Sequence, residues 1–389
     1  MVGIGLGVLA GFVLHRYPEG IGFVEPIGDM FIRLLKMIII PLIMATMVMG
    51  VLSVGDARKL GRIGLKTFLY YLVTTLLAVV VGLVLVNIIR PGVGLELGVG
   101  QVPDLPDQSI TSIFTDIVPV NIFGAMAEGK VLPVIFFSLL LGSVLTVVRE
   151  SAAGVVAFFE GFNAVMMKLT EWIMRLAPFG VFALIAVLVG RTGIEAFGPL
   201  AKYIFTVLAG LGFHALITLP LLLWLVGGYS PLRLFRHVSA ALATAFSTAS
   251  SAATLPITME CLEKKAGVSN QTASFVLPLG ATVNMDGTAL YEAVAALFIA
   301  QVYNIELDFV HQVIIVLTAT LASIGAAAIP SAGLFTMAIV LKAVGLPLEG
   351  IGLILAVDRV LDMCRTAVNV WGDSCGTAVI ARLEGEELS

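Results

Sequence analysis

The sequence predicts an all-α polytopic membrane protein. Of its 389 residues, 59% are hydrophobic and only 12% are charged, and the mean hydropathy is +1.06. A typical soluble domain is about 25% charged. Uncharged runs long enough to cross a bilayer, which takes about 20 residues, occur at Met37–Gly55, Thr67–Ile89, Val131–Val148 and Tyr203–Leu232. The net charge of −4 gives no reason to expect a nucleic-acid partner. The expected surroundings are therefore a lipid bilayer, in the cell (inner) membrane.

Cysteine and histidine usage does not indicate a metal site or a disulfide framework. The three cysteines, Cys261, Cys364 and Cys375, have neither metal-ligand spacing nor an even number, and the four histidines lie far apart. No cofactor is expected.

Basic residues predict the orientation. With the clusters Arg58–Arg62, Arg233–His237 and Lys264–Lys265 in the cytoplasm, the chain obeys the positive-inside rule and both termini are cytoplasmic. This orientation requires Val238–Met259 to enter and leave the membrane on the same side. That segment is therefore predicted to be re-entrant.

Two segments rich in small, polar and proline residues are expected to break as hairpins. Ser247–Pro256 is a poor lipid-facing helix, although its hydroxyls can also bond to carbonyls of their own helix. Ser323–Gly333 lies within Val310–Leu341, whose 32 residues are too many for one span. Two Gly/Pro-interrupted segments in corresponding positions indicate the binding site of an inverted-repeat transporter.

A third interruption lies between the two hairpins. Asn284, Asp286 and Gly287 are poor residues for a helix interior, yet apolar helix-like sequence flanks them. An unwound turn here would expose carbonyl oxygens beside a carboxylate and an amide. Such hard oxygen ligands suit a cation such as sodium, whereas a simple helix kink is the alternative.

A charged stripe near the C-terminus places five polar side chains on one helix face. Asp358, Asp362, Arg365, Asn369 and Asp373 follow at intervals of four, three, four and four residues. An isolated charge at bilayer depth costs a few kcal/mol or more, so the stripe needs a polar cavity, partners or a ligand. The alternative, a solvated face of an amphipathic helix, fits poorly with the apolar flanking residues.

Specific motifs stand at Asp29–Met37 (DMFIRLLKM), Tyr70–Thr75 (YYLVTT), Thr254–Pro256 (TLP), Asn284–Thr288 (NMDGT), Ser323–Pro330 (SIGAAAIP) and Asp362–Asp373 (DMCRTAVNVWGD). Together they resemble the dicarboxylate/amino acid:cation symporter family, which includes the excitatory amino acid transporters and prokaryotic sodium/aspartate homologues. The resemblance runs nearly end to end.

The resemblance implies eight transmembrane helices and two re-entrant hairpins, arranged as inverted repeats in a homotrimer that works by an elevator mechanism. Residues 1–60 (helices 1 and 2) and 93–192 (a loop with helices 4 and 5) would form a scaffold. Residues 61–92 (helix 3) and 193–389 would form the sliding transport domain. That last range would hold helix 6, hairpin 1 at about 234–265, helix 7 at about 269–303, hairpin 2 at about 308–345 and helix 8 at about 350–382. The tip of hairpin 2 would act as a gate.

The substrate implied is an acidic amino acid, L-aspartate or L-glutamate. Arg365 would grip the side-chain carboxylate through its planar guanidinium, Asp362 would take the ammonium, and Asn369 the backbone carboxylate. Neutral-substrate members lack the arginine and C4-dicarboxylate members lack the acid, and this chain has both. Further substrate contacts are implied at Thr366, Thr288, Met285, Ser250, Ser251, Ala327, Ile329 and Gly333.

The resemblance also implies three sodium sites. One would use Gly280, Asn284, Asn369 and Asp373. Another would use Asp286, Tyr71, Thr74, Thr75 and Asn284. A third would use carbonyls near Thr282, Met285, Ser323, Ile324 and Ala326. Met285 would bridge ions and substrate.

Glu292 is the candidate proton carrier. Sodium-only relatives have a glutamine at this position, whereas the animal transporters have an acid linked to proton and potassium coupling. Burial favours the neutral form of a carboxyl, so it could take up a proton near neutral pH. Proton co-transport would then add to, or replace part of, the sodium coupling. A permanently protonated structural acid is the alternative.

Two auxiliary arginines of the family are missing here. Archaeal relatives carry one at the first hairpin tip, where this chain has Ala249, and animal relatives carry one where it has Met363. Ala328 replaces a glycine common at the second tip. We expect these differences to affect substrate preference and the stiffness of the gate.

Other functions fit parts of the pattern. The same family holds proton-driven glutamate and C4-dicarboxylate symporters, and a ligand-gated anion channel would explain polar hairpins that meet in mid-membrane. An intramembrane enzyme would need Ser250 or Ser251 as nucleophile. However, neither hairpin tip nor the charged stripe contains a histidine or a convincing Ser-Lys dyad.

Overall fold

The computed structural model describes residues 2–57, 62–94, 115, 117–193, 197–326 and 332–389. Within these ranges every regular element is helical, as the sequence predicts. Four helices of the described residues are long and apolar enough to cross a membrane: Pro18–Leu52, Arg62–Ile89, Ala153–Arg175 and Phe197–Gly227. Shorter apolar helices occur at Gly5–Arg16, Val131–Val147, Ala177–Thr192, Phe309–Ser323 and Gly333–Ala343.

The first half of the chain contains α1 (Val2–Arg16), α2 (Ile21–Ala57), α3 (Arg62–Ile89), α4 (Ile122–Ala127), α5 (Val131–Val147), α6 (Ala153–Arg175) and α7 (Ala177–Thr192). The second half contains α8 (Phe197–Phe213), α9 (Leu219–Gly227), α10 (Pro231–Thr248), α11 (Ser251–Cys261), α12 (Asn270–Val283), α13 (Asp286–Val302), α14 (Phe309–Ala326), α15 (Ala332–Ala343) and α16 (Ile351–Leu383). A π-helical turn, His214–Thr218, joins α8 to α9.

Helix α2 organises the N-terminal helices. It packs against α5, α6 and α7, while α1 runs along α7. The buried side of α2 is aliphatic and aromatic, with Phe31, Leu35, Ile39 and Leu42 each at most 3% exposed. Opposite this side, large apolar residues such as Phe23 are exposed, as expected where a helix face meets lipid or another chain.

Helix α13 is the centre of the C-terminal helices. Almost all of its residues are buried, and it packs against α3, α8, α14, α15 and α16. A helix that is apolar on every side belongs in a protein interior. The polar residues that α13 carries, Asp286, Thr288 and Glu292, are therefore buried as well.

The segment predicted as the first hairpin contains α10 and α11, which pack against each other. The chain breaks at Ala249, which caps α10 in the left-handed region with φ +50° and ψ +42°. Ser250 then caps α11, since its hydroxyl accepts the Ala253 N–H at 3.2 Å. Pro256 lies inside α11 and does not end it. The caps, and not the proline, therefore set the break between α10 and α11.

The second predicted hairpin corresponds to α14 and α15, which also pack together. Ala327, Ala328 and Ile329 of its expected tip lie outside the described residues. Helix α14 begins at Phe309 and α15 ends at Ala343, and the hairpin bounds of 308 and 345 stay a prediction.

Ala249→Gly is expected to stabilise the protein. An alanine with positive φ pays a steric cost that glycine does not, and this outweighs the flexibility that glycine adds to the unfolded chain, for a net gain of about 0.5 kcal/mol. Thermal unfolding in detergent measures the change. Gly228→Ala, at φ +60°, is the matched control and should lower the midpoint. A lower midpoint for Ala249→Gly would contradict the assigned backbone conformation.

Candidate functional site

The polypeptide is unwound at the centre of the C-terminal helices. Helix α12 ends at Val283 and α13 begins at Asp286, and Asn284 between them is extended, with φ −90° and ψ +94°. Asp286 occupies the first turn of α13, where the helix dipole stabilises a negative charge. The interruption predicted from the sequence is therefore present.

A cluster of oxygen atoms surrounds the Asp286 carboxylate. The hydroxyls of Thr75 and Thr74, both on α3, lie 2.7 Å and 3.3 Å from its Oδ1. His214 Nε2 lies 3.1 Å from its Oδ2. Helix α3 thus supplies the two threonines that the sequence analysis assigned to a cation site.

A second cluster adjoins the first through Asn284. Its side-chain amide donates to Asp373 Oδ1 at 2.9 Å, and its Oδ1 accepts from the Thr74 hydroxyl at 3.3 Å. A Cβ atom on Gly280 would lie 2.6 Å from both Asp373 Oδ1 and the Tyr71 hydroxyl. Glycine is therefore needed there, and these predicted ligands come together in one buried volume.

Asn369 ties α16 to the unwound turn. Its Oδ1 accepts the Gly287 N–H at 2.8 Å, and its amide nitrogen lies 3.3 Å from Met285 Sδ and 3.4 Å from the Thr288 hydroxyl. All of these side chains are buried. One residue thus connects the predicted substrate contacts with the predicted cation ligands.

Arg365 is buried in α16, only 1% exposed, and is paired with two carboxylates. Its Nη2 lies 2.9 Å from Asp362 Oδ1 and 3.1 Å from Asp358 Oδ1. The guanidinium stacks over the Tyr291 ring, 3.8 Å from its centroid, as arginine often does on aromatic faces. Gly333 of α15 covers it so closely that a Cβ there would lie 2.7 Å from Nη1.

The other two nitrogens of this guanidinium, Nε and Nη1, have open N–H donors. Nε and Nη1 are buried and have no hydrogen-bond partner in the described part of the chain. Buried donors normally find partners, because an unpaired one costs about 1–3 kcal/mol and more when it is charged. The arrangement can therefore accept an anionic ligand on this side of Arg365.

The remaining predicted substrate contacts are less directly involved. The Thr366 hydroxyl bonds to the Asp362 carbonyl of its own helix at 2.8 Å. Ser250 is occupied in capping α11, as described above, and Ser251 begins that helix. Ala327 and Ile329 are outside the described residues.

The third predicted set of ligands lies at two helix ends. Thr282 is in the last turn of α12, while Ser323, Ile324 and Ala326 are in the last turn of α14. The final carbonyls of a helix lack partners within that helix, and α12 packs against α14. Tyr71, which was predicted as a ligand in the set with Asp286, donates its hydroxyl to the Val276 carbonyl at 3.2 Å.

Glu292 is fully buried one turn after Thr288 on α13. Both of its carboxyl oxygens are buried without a hydrogen-bond partner among the described residues, while the Thr336 hydroxyl on α15 and the Arg365 guanidinium are close enough to influence it. The candidate proton carrier thus lies near Arg365, the arginine predicted to bind the substrate.

Sequence reasoning missed three contributors. Tyr291 donates its hydroxyl to Asp358 Oδ1 at 2.8 Å, so that both act on Arg365. Asp358 was recognised as part of the stripe but had no partner assigned. His214 is a lone histidine in an apolar run. The one hint of its role in the sequence is that Thr218 and Pro220 follow it closely within a spanning segment.

The donor set suits an alkali cation and an organic anion. Among the described residues, no cluster of three or more His, Cys, Asp or Glu side chains is arranged to hold a metal ion. The clusters offer hydroxyl, amide, carbonyl and single carboxylate oxygens instead, which are ligands that hard cations prefer.

The comparisons with known proteins agree with this chemistry. A family model described as "Sodium:dicarboxylate symporter family" matches residues 1–383. The chain is 38% identical over 395 residues to a "Proton/sodium-glutamate symport protein" of Geobacillus stearothermophilus, covering 99% of this chain and 93% of that protein.

Two further relatives come from distant organisms. The "Proton/glutamate-aspartate symporter" of Escherichia coli (strain K12) is 39% identical over 397 residues, 97% of this chain and 90% of that protein. "Excitatory amino acid transporter 3" of Homo sapiens is 38% identical over 443 residues, 98% of this chain and 84% of that protein. These proteins are transporters and not enzymes, which removes the enzymatic alternative. The chain belongs to the sodium:dicarboxylate symporter family.

Proposed function

We propose that the protein is a secondary active symporter that takes up L-aspartate or L-glutamate together with sodium. The observation that carries this proposal is the buried guanidinium of Arg365, whose Nε and Nη1 have no hydrogen-bond partner among the described residues. An arginine presents a planar, permanently charged fork that matches a carboxylate. The printed names of the relatives, which refer to glutamate and aspartate, support the same substrate class.

Asp362 favours an amino acid over a C4-dicarboxylate. A dicarboxylate has no ammonium group, so an acid at this position would repel it. In the proposed complex Arg365 binds the side-chain carboxylate, Asp362 the ammonium and Asn369 the backbone carboxylate. Thr288 and Thr366 add hydroxyl contacts, and backbone groups near Ser251 and Gly333 close the site. Ser250, Ala327, Ile329 and Met285 complete this proposed set.

Arg365→Cys should abolish uptake of aspartate and glutamate. Truncating one partner of a buried, hydrogen-bonded charge pair at a binding interface costs about 2–5 kcal/mol, so substrate affinity should fall by roughly thirtyfold or more. Uptake of radiolabelled L-aspartate into proteoliposomes measures the loss, and neutral amino acids should be tested as new substrates. Arg175→Cys, which is on α6 with its side chain 68% exposed, is the matched control. Wild-type aspartate uptake by Arg365→Cys would contradict the substrate assignment.

Charge balance supports coupling to cations. Around the unwound turn, Asp286 and Asp373 are two buried carboxylates, whereas Asp358 and Asp362 pair with Arg365, and Asp362 also pairs with Arg359. An acidic amino acid adds one more net negative charge. Uncompensated charge is costly in a low-dielectric interior. Sodium bound near these carboxylates would therefore favour substrate binding, and bound substrate would favour sodium binding.

The sodium ligands that we propose fall into the three sets of the sequence analysis. One is centred on Asp286, with Thr74, Thr75, Tyr71 and Asn284. Another is centred on Asp373, with Asn369, Asn284 and the Gly280 carbonyl. The last consists of the carbonyls near Thr282, Met285, Ser323, Ile324 and Ala326. Each cation carried inward through 100 mV contributes about 2.3 kcal/mol of driving force.

Thr75→Val should weaken sodium activation. The substitution keeps the side-chain shape but removes the hydroxyl 2.7 Å from Asp286, so the sodium concentration for half-maximal uptake should rise about tenfold. Thr67→Val on the same helix removes a buried hydroxyl that bonds only to the Ile63 carbonyl among the described residues, and should leave sodium activation unchanged. Equal sodium dependence in both variants would argue against a sodium site at Asp286.

We further propose that Glu292 carries a proton with the substrate. Its burial beside Thr336 and Arg365 supports a carboxyl that gains and loses a proton as the substrate-binding arginine changes partners. The Escherichia coli relative, named as a proton symporter, makes a purely proton-driven mechanism the alternative.

Glu292→Gln should remove the response to a proton gradient. At a fixed sodium gradient, an imposed inward proton gradient should raise wild-type aspartate uptake but not that of the variant, because the amide cannot release a proton. Glu171→Gln on α6 is the control, and this variant should respond like the wild type. A variant that keeps the wild-type response shows that Glu292 is a structural acid.

The architecture that we propose is a multi-pass homotrimer with both termini in the cytoplasm. Residues 1–60 and 93–192 form the scaffold, and residues 61–92 and 193–389 form a transport domain that moves as an elevator. Packing supports this division, since α2 organises the first group of helices and α13 the second. The hairpin of α14 and α15, which covers Arg365 at Gly333, is the proposed gate.

A further inference from the structure

A buried histidine contacts the Asp286 cluster, although no ligand set above contains it. His214 and Asp286 are both 0% exposed, and Nε2 lies 3.1 Å from Oδ2. We propose that His214 is a positioning residue, whose Nε2–H donates to the Asp286 carboxylate and holds it in the orientation that binds sodium. This inference rests on the proposed sodium site at Asp286.

The π-helical turn places the histidine there, and the sequence explains the turn. Pro220 has no N–H and its ring disfavours a regular helix in the preceding turn. The Leu219 N–H bonds to the His214 carbonyl, five residues back. This wider turn rotates His214 relative to a regular helix. Single π turns inside α-helices occur frequently at functional sites.

The turn also leaves one carbonyl without a helical partner. The Leu219 N–H that would normally bond to Ala215 is already used, and Pro220 offers none. The indole N–H of Trp371 fills this role, donating to the Ala215 carbonyl at 2.9 Å. Trp371 lies on α16 between Asn369 and Asp373. The turn is therefore braced by the same helix that carries the second proposed cation cluster.

The hydrogen bonds fix the plane of the Asp286 carboxylate. Thr75 and Thr74 act on Oδ1, and His214 acts on Oδ2. With both oxygens held from two different helices, the group cannot rotate freely about its side-chain bond. Outer partners that orient a ligand in this way commonly contribute to metal affinity without touching the ion.

The hydrogen bonds favour a donor on Nε2 rather than on Nδ1. His214 Nδ1 is buried and has no hydrogen-bond partner among the described residues. A proton on Nδ1 would therefore be a buried, unpaired donor. A proton on Nε2 alone satisfies the bond to Asp286 and leaves the carboxylate charge available to sodium.

Substitutions of His214 test the donor role directly. His214→Leu removes the donor at similar volume, whereas His214→Gln keeps an N–H group that can reach the carboxylate. Thr206→Val, two turns earlier on α8, removes a buried hydroxyl that bonds to the Lys202 carbonyl and is the matched control. The measurements are the sodium concentration for half-maximal L-aspartate uptake and the aspartate half-saturation at saturating sodium, both in proteoliposomes.

We expect His214→Leu to raise the half-maximal sodium concentration about tenfold, and His214→Gln to stay within about threefold of wild type. Aspartate half-saturation at saturating sodium should not move. Wild-type sodium dependence in His214→Leu overturns the proposal. So does an equal loss in the Leu and Gln variants, or an equal shift in Thr206→Val, because each would point to packing and not to the donor.

A second measurement covers the case in which His214→Leu does not fold. In wild-type protein labelled with ¹⁵N-histidine, solid-state NMR should show a neutral Nε2–H tautomer for His214, assigned by its loss in His214→Gln. Its Nε2 signal should shift when sodium is added. An Nδ1–H tautomer or an imidazolium overturns the proposal. Wild-type uptake that ignores sodium would instead defeat the proposed sodium coupling itself, and with it this inference.

Discussion

The guanidinium of Arg365 is the charge around which the site is arranged. It is buried in a chain whose composition is that of a lipid-embedded protein, and Asp358 and Asp362 pair with its Nη2, which leaves Nε and Nη1 without a partner among the described residues. The guanidinium stacks on the Tyr291 ring, and the Tyr291 hydroxyl donates to Asp358. Such an arrangement is costly unless a ligand completes it, and the open donors define the chemistry of that ligand as anionic.

The unwound turn links this charge to the cation clusters. Asn369 binds the backbone at Gly287 and also contacts Met285 and Thr288, which lie between the arginine and the carboxylates of Asp286 and its neighbours. Movement of one group therefore alters the contacts of the others. This is a physical basis for coupling, because bound cations offset the negative charge that an acidic substrate brings.

Spacing predicted which side chains of α16 share a face. The helical repeat placed Arg365, Asn369 and Asp373 on one side of α16, and Asn369 and Asp373 contact the unwound turn in the structure. The turn itself was predicted from residues that disfavour helix. The contact of His214 with Asp286 could not be predicted, because it joins residues 72 positions apart across two packed helices. Only the π turn and the packing of α8 bring them together.

The position of the break between α10 and α11 shows the same limit of prediction from sequence. Composition predicted a break within Ser247–Pro256, and the structure ends α10 and begins α11 there through the caps at Ala249 and Ser250, not at Pro256. Local composition indicates that a helix must end, whereas hydrogen bonds of particular residues decide where. Likewise, the stripe identified Asp358 as unusual, but its partner Tyr291 depends on how α13 packs against α16.

The most direct test of the account is the accumulation of radiolabelled L-aspartate in sealed proteoliposomes under an inward sodium gradient. The account predicts an internal concentration above the external one, which collapses when the sodium gradient is dissipated. Equilibration without accumulation, as through a channel, would contradict it. So would accumulation that persists when sodium is replaced by a cation that the site does not bind.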